Sequence, residues 1–357
     1  MNKLLEKYKK HTKISESSIL DSSNFFKDPD FIDTEYPSLN ILLSGKVDGG
    51  LTNGHTMIAG PSKHFKTSFG LIMVSAFLKK HPDAICLFYD SEFGSPQGYF
   101  ETFDVDTSRV LHIPIMDVEE FKFDIMEKLK NFELGEKVII FVDSIGNLAS
   151  KKEVEDALEG KSVADMTRAK SFKSLFRMVT PYLTKYDIPL ITINHVYDKI
   201  GTMYPEVVVG GGTGGVYSAN TIFTVGRRKD KEGKVITAWD FVIKVSKSRF
   251  VHEESSLPFR VQKNRGIFKY SGVPEIAVAA GLISKSGSWY SRIDPKTGQA
   301  IGKKFQGLTK QPDSFWKNIV ETQEFKDFVE ETFHLEGFPA DVEELPEENV
   351  EDDENLV

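Results

Sequence analysis

With 357 residues, 40% of them apolar and 11% aromatic, the chain is long enough for one large core plus small appendages and has the composition of a globular protein. The formal charge of -8 misrepresents the body, because residues 341–357 hold nine carboxylates and no lysine or arginine, which leaves the remainder close to neutral. No run approaches a membrane span, residues 1–13 are lysine-rich without the apolar stretch of a signal peptide, and the single cysteine, Cys86, lies in an apolar strand pattern that predicts a reduced core thiol and a cytoplasmic protein.

Residues 1–34 read as a helical arm with a loose linker. Leu4, Leu5 and Tyr8 share one helical face among lysines, and the pair Phe25 and Phe26 follows a Ser/Asp-rich stretch. An arm with so little core of its own can dock on a neighbouring copy or fold back on its own domain. In residues 35–272, short apolar runs alternate with helical patterns, the signature of an α/β domain with a mainly parallel sheet. The runs 56–59, 84–89, 138–142, 190–193 and 221–225 read as strands buried on both faces, and 68–79, 121–132 and 165–183 as helices. Trp239, Phe241, Ile243 and Val245 alternate as in a half-buried antiparallel strand. Residues 273–340 predict a small mixed lobe with Trp289 in its core and an amphipathic helix carrying Phe325, Phe328, Val329 and Phe333. The acidic segment 341–357 is too polar to pack and is expected to be disordered, either as a solubility tail or as a polyanion competing with nucleic acid for basic surface.

Strand, glycine-led loop, Lys-Thr and helix follow one another in Gly60, Pro61, Ser62, Lys63, His64, Phe65, Lys66, Thr67 and Ser68, the order of a phosphate-binding loop. Loop amides and the helix N-terminus converge on a polyphosphate, Lys66 reaches its outer oxygens, and the Thr67 hydroxyl is placed for magnesium, so the stretch predicts an ATP site. Phe65 occupies the position before the lysine where the usual pattern has glycine. Chemistry in such sheets collects at the carboxyl ends of strands. There Asp143 can hold magnesium through water, Glu92 can activate the attacking water with Asp90 as its competitor, and Asn194-His195 can sense the terminal phosphate. Tyr99 is positioned to stack on adenine or to pack locally. Residues 210–215, including Gly211, Gly212 and Thr213, read as a mobile glycine segment able to approach a nucleic-acid backbone. Lys151, Lys152, Arg168, Lys170, Lys173 and Arg177 suit a polyanion or form a charge-laced solvated face.

Taken in order, the phosphate loop, Asp90-Ser91-Glu92, Asp143-Ser144, Asn194-His195, the glycine run and Lys247-Ser248-Arg249 resemble the RecA recombinase family. The wording of residues 59–63, 87–94 and 165–170 is similar to its bacteriophage branch. The resemblance implies a RecA-like P-loop ATPase core that forms helical filaments on single-stranded DNA with ATP and magnesium, pairs it with double-stranded DNA and exchanges strands. It implies Lys66 and Thr67 at the phosphates and metal, Asp143 at the metal, Glu92 as general base, and His195 at the γ-phosphate switch. It also implies DNA-binding loops at about 150–170 and 196–220, with Lys247 and Arg249 reaching the ATP of the adjacent subunit. A recombination mediator, a single-strand-binding protein and host cytoplasm are implied on the same ground. A ring-forming helicase motor and a non-hydrolytic ATP-gated scaffold remain alternatives.

Overall fold

Five strands with continuous apolar runs have nowhere to go but the middle of a sheet covered on both faces, and this constraint shapes the computed structural model. It describes residues 2–14, 17–23, 29–161, 167–198, 207–210, 213–232, 235–263 and 265–335. Helix α1 (Lys3–His11) is exposed throughout, and α2 (Pro37–Ser44) is wholly buried. Then come β1 (Gly54–Ala59), α3 (Lys66–Lys80), β2 (Ile85–Asp90), α4 (Gln97–Thr102), β3 (Val110–Pro114), α5 (Val118–Lys130) and β4 (Val138–Asp143). They are followed by α6 (Lys151–Leu158), α7 (Thr167–Lys185), β5 (Pro189–Asn194), β6 (Val196–Asp198), β7 (Val207–Val209) and α8 (Thr213–Ser218). The long hairpin β8 (Thr221–Glu232) and β9 (Val235–Lys247), then β10 (Ser256–Gln262) and β11 (Gly266–Ile267), complete a sheet in the order β11-β10-β9-β8-β1-β5-β4-β2-β3.

Strands β1 to β5 and β8 pair in parallel, and the antiparallel reading of residues 239–245 holds. Edge strand β3 was not legible as a strand. Its Leu111 and His112 face outward, so it lacks the continuous apolar run of its neighbours. Parallel register aligns strand ends: Asp90 pairs with Asp143, and Ala59 with Asn194. All four positions therefore reach one rim of the sheet, where ligands collect in open α/β sheets.

The last described part comprises α9 (Val273–Ala279), the antiparallel β12 (Ile283–Ser286), β13 (Trp289–Ile293) and β14 (Ala300–Phe305), then α10 (Asp313–Val320) and α11 (Gln323–Phe333). Trp316, Phe325 and Val329 join the same apolar cluster as Leu39, Phe69 and Phe259, so this lobe is welded to the body. The expectation for Trp289 is corrected: it is 48% exposed at the start of β13, and the fully buried tryptophan is Trp316 on α10. The residues 341–357, Phe25 and Phe26 lie outside the described residues.

Helix α3, which carries the phosphate loop's lysine and threonine, lies so close to β4 that a Cβ on Gly70 would sit 2.5 Å from the Phe141 ring. Gly70→Val should therefore lower stability by roughly 1–3 kcal/mol through overpacking, read as a lower denaturant midpoint with an unchanged slope.

Candidate active site at the sheet rim

The loop from Gly60 to Phe65 leaves β1 and turns directly into α3. Phe65 adopts φ 65 and ψ 17, the left-handed conformation for which glycine is normally favoured. Its ring explains the departure. It stacks on Phe241 at 5.0 Å and meets Phe69 and Phe103 edge-on, so aromatic packing offsets the backbone cost. Lys63, at φ 60, is held by a hydrogen bond from Arg227 to its carbonyl at 3.1 Å, and that guanidinium lies 4.3 Å from the Trp239 ring centre. Sequence reasoning missed Arg227, since only the hairpin's overhang brings it to the loop.

Lys66 is buried and its Nζ donates to the Pro61 carbonyl at 2.9 Å, so the loop itself supplies an acceptor for the ammonium. Burial lowers the Lys66 pKa, while Glu92 and Asp143 act in the opposite direction. Thr67 Oγ1 donates to Asp143 Oδ2 at 2.8 Å, and Asp143 Oδ1 is buried without a hydrogen-bond partner. That orphaned oxygen beside a threonine hydroxyl fits a magnesium ion or its bound water, with the remaining ligands coming from phosphate and solvent. Burial raises the Asp143 carboxyl to about 7, with Glu92 and Asp90 adding to the rise and Thr67 and Lys66 opposing it.

Glu92 and Asp90 are separated by their partners. Asp90 is buried and accepts from the amides of Glu92 and Phe93 at 3.0 and 2.8 Å, which ties it into its own loop. Glu92 reaches into the cleft, where its Oε1 meets Ser144 Oγ at 2.7 Å, Asn147 Nδ2 at 3.0 Å and His195 Nε2 at 3.1 Å. Ser144 was legible as part of a motif, whereas Asn147 carried no signal. A cleft of about 230 Å³ is bounded by the phosphate loop, Glu92, Tyr99, Asp143, Ile193 and His195. Tyr99 thus lies at the cleft, its hydroxyl bonded to Ser68 and its ring edge-on to Phe103.

Asn194 connects this cleft to the glycine segment. Its Nδ2 donates to the Gly210 carbonyl at 2.8 Å, its Oδ1 accepts from the His195 amide at 2.8 Å, and the Gly210 amide donates to the His195 carbonyl at 2.9 Å. Gly211 and Gly212 lie outside the described residues. Thr213 begins α8, so the end of the run is helical and not a mobile loop, a correction with a packing reason: a Cβ on Gly214 would come within 2.4 Å of the Lys173 backbone.

The expected DNA-contacting cations divide. Lys151, Lys152, Lys170, Lys173 and Arg177 are exposed on α6 and α7. Arg168 is corrected. Its guanidinium donates to the carbonyls of Leu148, Ile145 and Gly146 at 2.6, 3.2 and 2.7 Å and lies over Phe172, clamping the segment after Asp143. Lys247 pairs in register with Ile222, which pairs with Met57, so it sits back along β1 from the phosphate loop. Its Nζ donates to the carbonyls of Val216 and Tyr217 at 2.9 and 3.0 Å, closing the end of α8, and Arg249 beyond it is exposed.

Sequence profiles describe the same arrangement. The RecA N-terminal domain matches residues 17–271, and the C-terminal domain of the bacteriophage T4 recombination and repair protein matches residues 270–329. The chain belongs to the RecA family. It is 43% identical over 343 residues to the recombination and repair protein of Enterobacteria phage T4, covering 93% of this chain and 88% of that protein. It is similar to the RecA proteins of Paracoccus denitrificans, 28% identical over 74% of this chain and 73% of that one, and Thermus aquaticus, 29% identical over 74% and 77%. As a RecA-family protein it has an ATP-dependent recombinase role in recombination and repair. Proteins of this family bind ATP with magnesium, and no helix among the described residues is long and apolar enough to cross a membrane.

Because the folded Asp143 carboxyl titrates near 7 and an unfolded aspartate near 4, the folded state binds more protons between those values. The contribution of this group to stability without nucleotide should therefore fall as pH rises through that window. Asp143→Asn should flatten the dependence and raise the denaturation midpoint at pH 8, while magnesium-dependent nucleotide binding is lost. Magnesium binding to the native protein should weaken below about pH 7, read by calorimetry across pH.

Proposed function

We propose that the chain is a DNA-dependent ATPase that assembles head to tail on single-stranded DNA, pairs it with a homologous duplex and exchanges strands. The observation that carries the reading is the chain of contacts from Glu92 through His195 and Asn194 to Gly210. It ties the position of a terminal phosphate to the start of a segment able to meet DNA. In this reading Lys66 leaves the Pro61 carbonyl for phosphate oxygens, Thr67 and Asp143 hold magnesium, and Glu92 takes a proton from the attacking water. Bound magnesium would screen phosphate charge. Ser144 and Asn147 hold the Glu92 carboxylate on one oxygen and leave the other for water. His195, released from Glu92 when phosphate is present, transmits occupancy to residue 210 and onward to the DNA-binding segments near 150–170 and 196–220.

The exposed cations Lys151, Lys152, Lys170 and Arg177 supply backbone contacts to DNA, whose strength falls with salt. Arg249, exposed, and Lys247, on releasing the Val216 and Tyr217 carbonyls, act in trans on the nucleotide of the next copy. A cation brought to developing phosphoryl charge contributes ~10³ to 10⁵ in rate, which makes turnover depend on assembly. The arm, residues 1–34, gives the assembly a second contact. The basic, exposed α1 with Leu4, Leu5 and Tyr8 could meet a cavity of about 750 Å³ with an apolar floor of Ile85, Leu87 and Val138 and a rim of four carboxylates, Asp83, Asp124, Glu127 and Glu136, against two lysines, Lys128 and Lys137. Accessory partners would be a loading mediator and a single-strand-binding protein, and the setting the cytoplasm of a phage host.

Glu92→Gln should lower kcat by roughly 10² or more with filament formation retained, because an amide keeps the site's shape but takes no proton. Full turnover in that variant would overturn the base assignment. Lys247→Ala and Arg249→Ala should fold normally, bind nucleotide as monomers and lose DNA-stimulated turnover. Electron microscopy with ATP and long single-stranded DNA separates the alternatives: helical filaments support the proposal and closed rings support a motor.

A further inference from the structure

The Asp90 carboxylate is almost fully buried, with 5% of its side chain exposed, and the hydrolytic scheme gives it no step. Its oxygens divide the work of holding the adjacent loop. Oδ1 accepts from the amides of Glu92 at 3.0 Å and Phe93 at 2.8 Å, which fold around it. Oδ2 faces Nε2 of His112 at 3.1 Å. With the hydrogen on Nε2, His112 donates, and it is the side-chain partner of this carboxylate among the described residues.

His112 lies on β3, opposite Phe88 in register, and its ring stacks on Phe88 with centres 5.5 Å apart and planes inclined by 24°. That packing sets the ring's orientation toward Asp90. The histidine is nevertheless 51% exposed, because β3 is the outermost strand and, among the described residues, pairs with β2 alone. Removing His112 deprives the buried Oδ2 of its donor, and the adjacent loop, held by the other oxygen of the same carboxylate, is free to shift with it.

Resting on the reading of Glu92 as general base, we infer that His112 is a positioning residue for ATP hydrolysis. Its hydrogen bond fixes Asp90, and Asp90 fixes the backbone from which Glu92 reaches Ser144, Asn147 and His195. The link runs from the outermost strand of the sheet to the catalytic loop. Misplacement of a reacting group by about 1 Å is enough to reduce rate 10²-fold, so a small loop shift has a large kinetic effect.

The test uses the full-length protein with His112→Ala and His112→Gln, measuring DNA-stimulated kcat, KM for ATP and filament length on single-stranded DNA. For His112→Ala, kcat should fall roughly 10-fold or more with KM and filament length unchanged. His112→Gln, whose side-chain amide can donate to Asp90, should recover most of that loss. Unchanged kcat in His112→Ala, parallel loss of filaments or KM, or no recovery with glutamine would each overturn the inference. Glu92→Gln assayed alongside separates the two failures: an active Glu92→Gln removes the base reading, and an inactive one with a normal His112→Ala removes only the positioning role.

Discussion

The Thr67 hydroxyl and the Asp143 carboxylate meet at 2.8 Å across two elements far apart in the chain, and the site exists only because they do. Threonine is the second residue of α3, whose start is set by the turn leaving β1, while aspartate ends β4 two places along the sheet. Their meeting requires β1, β5 and β4 to be in parallel register. That register pairs Ala59 with Asn194, while the β4 to β2 ladder pairs Asp143 with Asp90. A shift of one residue in any of these strands would turn its terminal side chain to the other face. Apolar runs buried on both faces therefore do more than fill the core, since they hold the polar ends level.

The electrostatics of the site favour a cation and an anion together. Asp143 is desolvated beside Glu92 and Asp90, its carboxyl raised to about 7, while Lys66 is buried and bonded to a backbone carbonyl. Asp143, through its unpartnered oxygen, would hold magnesium, and Lys66 would give up the Pro61 carbonyl for a phosphate oxygen, so a bound metal nucleotide would relieve both conditions. Glu92 is meanwhile gathered by three donors on one oxygen, one of which, His195, is also tied to Gly210 through Asn194. Occupancy of the cleft and the arrangement of the glycine segment thus share a few hydrogen bonds, with no need for a long route through the core.

Positive charges fall into two groups that composition cannot distinguish. Arg168 and Lys247 bond to backbone carbonyls and shape the segments after Asp143 and at the end of α8. Arg227 likewise braces the phosphate loop. Lys151, Lys170, Arg177 and Arg249 are exposed at the surface, where a polyanion could reach them. A guanidinium whose fork is filled by carbonyls does not reach for a phosphate without first leaving them unpaired, which is why placement matters more than residue type.

The amino-acid sequence by itself determined the parallel α/β core, the phosphate loop and the polar residues ending each strand, because long apolar runs and a glycine-led Lys-Thr turn are local patterns with few alternative structures. It could not reveal β3, whose outward Leu111 and His112 break the pattern of a buried strand, nor the exposure of Trp289 against the burial of Trp316. The tolerance of Phe65 in a left-handed position was equally hidden, since Phe69, Phe103 and Phe241 come to it from three separate segments. Only the tertiary structure distinguishes the surroundings of Glu92 and Asp90, since it shows which carboxylate is bound by its own loop and which extends into the cleft. Contacts between distant segments are set by register and packing, and these are properties of the whole chain that no short stretch contains.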